Sequence, residues 1–250
     1  MIICGVLTRR IPGGYAEQKI FDGTVCDHKK REGECVKSQV EGKNGRALVK
    51  ILSSDELSDL KKEYAELGID SLLDSGILKE IPLVGTLVGL YNVVGSVRDH
   101  IFTEKIFRFL TEFSEIPEAD RINMIDRLNE DDKFAGRAGE RMLEIIDRIE
   151  SEEKPELVAT FLKAFSRKEI SFEELRRLLS ALERLPSFDL SKLPDFIIFD
   201  NDKAEGQTLS EAQMLSFVGA GLGQFKGGYG GSIIRPTELC KLFVKVGKIN

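Results

Sequence analysis

The sequence predicts a mainly α protein, built as a helical bundle with smaller pieces at either end. Three observations predict it. Apolar residues recur at helical spacing in one segment after another between 53 and 200, capping signals precede several of these stripes, and proline closes them. The 250-residue chain is 42% hydrophobic and 31% charged, apolar enough for real cores and too apolar for global disorder.

Residues 1–52 are expected to form a small β-rich or irregular N-terminal appendage. Gly13-Gly14, Gly23, Gly33, Gly42 and Gly45 punctuate it. Short apolar pieces such as Ile2-Ile3-Cys4 and Ala47-Leu48-Val49 lie between them, with no sustained 3.6-residue stripe. The bundle is expected over 53–200. Ser53-Ser54-Asp55-Glu56 has capping-box spacing, and Leu57, Leu60, Tyr64 and Leu67 follow at helical intervals. Ile101, Phe102, Lys105, Ile106, Phe109, Leu110 and Phe113 share one face of a later helix, and Pro117 opens the next with Ile122, Ile125 and Leu128. Met142, Ile145, Ile146 and Ile149 form another stripe that ends near Pro155. Leu157, Val158, Phe161, Leu162 and Phe165 make the one after it. Ser171-Phe172-Glu173-Glu174 is a second capping box, followed by Leu175, Leu178, Leu179, Leu182 and Leu185 before Pro186. Short connections between such helices imply antiparallel neighbours.

Thr208-Leu209-Ser210-Glu211 is a third capping box, continued by Met214, Leu215, Val218 and Leu222. Gly227-Gly228-Tyr229-Gly230-Gly231 gives a flexible tip, Ser232–Arg235 a short strand, and Pro236-Thr237 opens a last helix through Leu239, Leu242, Phe243 and Val246. Helix, glycine hairpin and helix over 206–250 resemble a winged-helix module. The full expectation is therefore a helical bundle with a C-terminal winged-helix-like module and a small N-terminal β-rich or irregular appendage.

The net charge of -6 is unevenly placed. Residues 1–50 carry 10 basic and 6 acidic side chains, residues 51–212 carry 21 and 35, and residues 213–250 carry 5 and 1. An acidic middle repels polyanions, so nucleic acid would have to meet an end. In a wing, Lys226, Arg235 and Lys241 would meet phosphates, with Tyr229 at the tip. The helix before the wing is expected to present Gln213, Ser216 and Gln224 and almost no Arg or Lys, which favours packing or partner contact over base reading.

Seventeen consecutive uncharged residues run from Ile81 to Val97. Within an expected helix over 76–97, Leu83, Gly85, Leu87, Gly89, Leu90 and Val94 would face a close neighbour, and Gly85 and Gly89 have the spacing that lets helix backbones approach. A helix apolar on every side is either core or membrane. The core reading is favoured by Thr86, Asn92 and Ser96, while conditional membrane insertion is the alternative.

Cys4, Cys26, His28 and Cys35 match a zinc site in number, but only Cys26 and His28 are closely spaced, so ordinary reduced thiols are preferred. Cys240 lies among apolar residues and is expected in the core. Asp200, Asp202 and Glu211 fit a calcium loop except for Ala204 at the fifth place and Glu205 where glycine is required. Gly219–Gly223 lacks the third glycine of a dinucleotide loop, and His100 has carboxylate neighbours but no accompanying nucleophile. A non-enzymatic chain is expected, with a protein partner or self-association first. Membrane contact, and nucleic acid through the C-terminal tail, are the alternatives, and no small-molecule substrate is implied. With no signal-peptide pattern at Met1 the expected location is cytoplasmic, peripheral to or conditionally inserted in the inner membrane if the uncharged run engages lipid.

Residues 68–72, the run Leu78–Leu90, Val97–Ile106 with Phe109-Leu110, and the turns at Gly139-Glu140 and Ile170-Ser171 resemble a group of uncharacterised bacterial helical proteins. These are found near mobile elements and phage-defence genes and commonly end in a winged-helix-like tail. The likeness covers about 65–185 and implies a bacterial defence role of the abortive-infection type. It supplies no active site.

Overall fold

A computed structural model describes residues 19–21, 24–26, 32–58, 97–130, 137–151, 153–199, 209–228 and 231–249. The chain divides into two compact units, residues 1–40 and 41–250. In the first, strands β1 (Lys19–Phe21) and β2 (Thr24–Cys26) pair antiparallel, with Lys19 opposite Cys26, and helix α1 (Glu32–Leu52) begins.

The second unit continues α1 and adds α2 (Val97–Phe113), α3 (Glu118–Glu130), α4 (Ala138–Arg148), α5 (Lys154–Ser166) and α6 (Phe172–Arg184). A 3-10 turn (Ser187–Lys192) leads into α7 (Leu193–Phe199). The chain then ends with α8 (Glu211–Gly219), β3 (Gly223–Gly228), β4 (Gly231–Pro236) and α9 (Glu238–Gly247). The protein is mainly helical with a two-stranded sheet near the C-terminus.

Helix α5 is the centre of the bundle: α2, α3, α6 and α9 all pack against it. Its buried residues include Val158, Ala159, Phe161, Leu162, Ala164 and Phe165, which surround most of the helix circumference. Helix α6 follows its sequence signal closely. The Ser171 hydroxyl accepts from the Glu174 amide, the Glu174 carboxylate accepts from the Ser171 amide, and Leu175, Leu178, Leu179, Leu182 and Leu185 are all buried.

Helix α1 corrects the expectation that no helical stripe precedes Ser53. Leu48, Ile51 and Leu52 are buried core residues of this helix. Its glycines mark a close crossing rather than loops: a Cβ on Gly45 would stand 2.7 Å from the Glu140 amide nitrogen, and one on Gly139 would run into the Gly45 carbonyl. The turn after α1 also differs in detail, because the Glu56 amide is held by the Ser54 hydroxyl at 3.2 Å.

Two isoleucines fall on the solvent side of their helices. Ile101 is 37% and Ile122 is 39% exposed, whereas Phe107 and Met124, outside the expected stripes, are buried. The third capping box sits two residues later than its sequence signal, with Ser210 as cap and Gln213 completing it. Leu222, expected on that helix, lies past its end. Gly221 takes a φ of +79° and the Leu222 amide donates to the Phe217 carbonyl at 2.8 Å, which closes α8 and starts β3.

Strands β3 and β4 pair antiparallel with Gln224 opposite Arg235, Phe225 opposite Ile234, and Lys226 opposite Ile233. Thr237 closes the base of this hairpin, its amide donating to the Leu222 carbonyl at 2.8 Å, while its hydroxyl caps α9 at the Cys240 amide. Ring contacts fix the module on the bundle: Phe243 meets Phe161 at 5.1 Å, and Phe196 of α7 meets Phe217 of α8 at 4.8 Å.

Candidate functional site

Charged side chains engaged inside this fold differ in role from those that lie on its surface. Several buried cations serve helix ends. Lys105 donates to the carbonyl of Ile149 at the C-cap of α4, and Lys154 to that of Leu185 at the C-cap of α6. Arg127 donates to the Phe165 carbonyl in the last turn of α5 at 3.1 Å and lies 4.1 Å over that ring's centroid. Arg121, 0% exposed, donates to the Ser54 carbonyl just beyond α1 at 2.7 Å, while its Nε and Nη1 have no partner. Lys105 and Lys154 satisfy C-cap carbonyls, Arg127 shares the Phe165 carbonyl with the Lys168 amide, and all four cations oppose the negative end of a helix dipole.

Lys154 also ties a wider network. Glu150 accepts from its ammonium at 3.2 Å and from the Ser187 amide at 2.6 Å and hydroxyl at 3.0 Å, so the α4–α5 corner is bound to the chain leaving α6. Burial pulls the Lys154 ammonium below its ordinary value against the pull of Glu150. Burial alone would raise the Glu150 carboxyl, but the Ser187 and Lys154 hydrogen bonds outweigh it and hold it low. These groups are engaged in structure.

The outward chemistry concentrates on the β3–β4 hairpin. Cross-strand partners share a sheet face. Ile234 packs on the core, which places Gln224, Lys226, Ile233 and Arg235 on the opposite, outward face. Ile233 is 52% exposed there, Phe225 is 57% exposed beside Ile234, and Leu215 is 47% exposed on α8, the helix packed against β3. Lys226 is exposed and Arg235 half-buried. From Ala212 to Thr237 the chain has no Asp or Glu. Ile233 thus has basic neighbours on the outward face, while Phe225 is exposed on the other face of the hairpin.

An open cleft of about 700 Å³ lies between the start of α6 and α9. Its charges are largely paired within their own helices: Arg177 with Glu173 at 2.7 Å, Lys241 with Glu238 at 2.7 Å, and Glu174 with its cap Ser171.

The expected residues are therefore distributed as follows. Lys226 and Arg235 come together on the hairpin. Lys241 lies in the cleft, and Tyr229 is outside the described residues. Leu83, Gly85, Leu87, Gly89, Leu90 and Val94 are also outside them. So are Cys4 and His28, while Cys26 falls in β2 and Cys35 in α1. Cys240 is fully buried, and burial pushes its thiol up to about 12. Among the described residues no helix is long and apolar enough to cross a membrane, and no group of three or more His, Cys, Asp or Glu could hold a metal ion. The exposed Leu215, Phe225 and Ile233 are the site residues that the sequence reading missed. The acid-free stretch around them was the available signal.

Compared with known protein families, curated proteins and solved structures, the chain matches none of them.

Proposed function

We propose that this protein acts by binding another protein rather than by catalysis, with the hairpin and α8 as the contact surface. The carrying observation is the exposure of Ile233 beside Lys226 on the outward face, with Phe225 on the other face of the hairpin and Leu215 on α8 also exposed, all within an acid-free stretch. Exposed apolar side chains that occur singly are ordinary, but a group of them on one module marks an interaction site. The α8–β3–β4–α9 order is read as winged-helix-like, a scaffold that serves partner contact as well as nucleic acid. The bacterial defence setting belongs to this proposal through the resemblance of residues 65–185. Conditional membrane engagement belongs to it through the uncharged run and its Gly85 and Gly89 spacing.

A photoreactive residue placed at Ile233 tests the reading in cells. We expect a discrete protein adduct that is lost when Lys226→Glu is added and absent when the probe sits at the exposed Arg176 of α6. No adduct at Ile233 would remove the basis for a contact role.

A second reading, nucleic-acid binding, is favoured by Lys226 and Arg235 sharing the outward face. It predicts an electrophoretic shift that weakens steeply with salt and vanishes on reversing both charges.

A further inference from the structure

We infer that the partner of the hairpin is a second copy of this chain, docked through the outward face of its α3. This rests on the reading of the hairpin as a protein-contact surface and adds the identity of what it contacts.

Two exposed faces of the same unit are complementary. On the hairpin, Ile233 has Lys226 directly across the strand pair and Arg235 two residues along on the same face. This gives an apolar centre with basic groups about 5–7 Å away. On α3, Ile122 is 39% exposed, with Glu118 one turn before it and Asp126 one turn after. These three side chains lie on the i, i+4 ridge of the helix over about 12 Å. Asp120 and Glu130, both exposed, extend the acidic character to either end. Sign, spacing and the central apolar residue all match.

The match also explains two features that folding of one chain leaves idle. Ile122 sits on the solvent side of α3 although Met124, Ile125 and Leu128 already supply its buried face. The acid-free stretch 212–237 lies in a chain with 42 acidic residues. Apolar contact between Ile122 and Ile233 would supply burial. The flanking charges would set register and exclude the like-charged pairings of hairpin on hairpin or α3 on α3. Because the two faces differ, the contact is heterologous: each copy offers a hairpin to one neighbour and an α3 to another, and assembly proceeds beyond a dimer unless it closes into a ring.

The test is sedimentation velocity of the full chain over a wide concentration range, with circular dichroism melts to show that each variant folds like the parent. We expect concentration-dependent species larger than a dimer. Lys226→Glu or Asp126→Lys alone should weaken assembly about tenfold. Mixing the two variants should restore it, because the reversed hairpin then meets the reversed α3. Ile122→Ser should weaken assembly without lowering the melting temperature. A chain that stays monomeric throughout, or assembly indifferent to the Asp126 charge, overturns the inference. If the chain is monomeric and the Ile233 photoprobe still captures a host protein or a nucleic-acid complex, self-association falls while a contact role for the hairpin stands.

Discussion

Lys154 carries a charge at a site with 0% exposure, and it remains there because its ammonium reaches both the Leu185 carbonyl and Glu150. Replacing it with Met keeps the packing but strands the carbonyl that ends α6. Lys154→Met is therefore expected to lower unfolding free energy by about 1–3 kcal/mol, read from urea denaturation. Because burial lowers its folded-state value below the ordinary 10.5, the unfolded chain holds this proton more strongly. Its own contribution thus makes stability rise as pH climbs toward that value. The carboxylates act at the other limb. The Glu174 carboxyl is held low by the amide and hydroxyl of Ser171, and Glu150 is held low by Ser187 and Lys154 despite its partial burial. Their stabilisation is present above the ordinary carboxyl value near 4.5 and is lost as pH falls through the folded values. Glu174→Gln and Glu150→Gln should each flatten the acid side of the stability profile measured by denaturation between neutral and acidic pH. Cys240, with its thiol pushed up to about 12, should stay unalkylated at pH 8 in the native chain and react on unfolding. The sequence pointed to part of this chemistry. Lys105 stood inside an apolar stripe and is buried with it, whereas nothing in the sequence singled out Lys154 or Arg121, which are also buried. Their burial depends on which carbonyl another helix brings within reach, information that no local pattern carries.

Among the elements, α1 and α4 approach so closely that neither Gly45 nor Gly139 has room for a methyl group. Gly139→Ala is expected to cost about 1–3 kcal/mol through forced separation of the helices. Gly219→Ala, where a Cβ meets nothing within 4 Å, should leave stability unchanged or slightly raised. Comparing the two thermal midpoints checks the contrast, since both changes add one methyl to a helical glycine. The same glycines explain why α1 was illegible in the sequence: Gly42 and Gly45 are turn signals by composition and crossing-point residues by tertiary context. Helix α6 was legible in full because its cap, its five leucines and its closing proline all agree. Strand β3 was hidden because Val218 and Leu222 continue the helical spacing past the point where Gly221 turns the chain. Ile101 and Ile122 were assigned to buried faces because an apolar residue at helical spacing gives no sign of which side of the stripe it occupies.

On the scale of the whole molecule, the charge map legible in the sequence has a structural counterpart. The acidic excess of residues 51–212 includes the outward face of α3, and the acid-free stretch 212–237 forms the hairpin with its exposed Phe225 and Ile233. What the sequence did not show was which residues share a face, since that follows from the register of β3 against β4. The uncharged run 81–97 was the most conspicuous feature of the chain as read, and all of it but Val97 lies outside the described residues. The account's central claim is that this module works by protein contact, with the hairpin of one copy on α3 of another. Hydrogen exchange followed by mass spectrometry, on the full chain at dilute and at high concentration, tests it most directly. The account predicts that raising the concentration slows exchange in Gly223–Pro236 and in Glu118–Glu130 together, with little change in α5 or α6. Exchange rates at both segments that do not depend on concentration would contradict it.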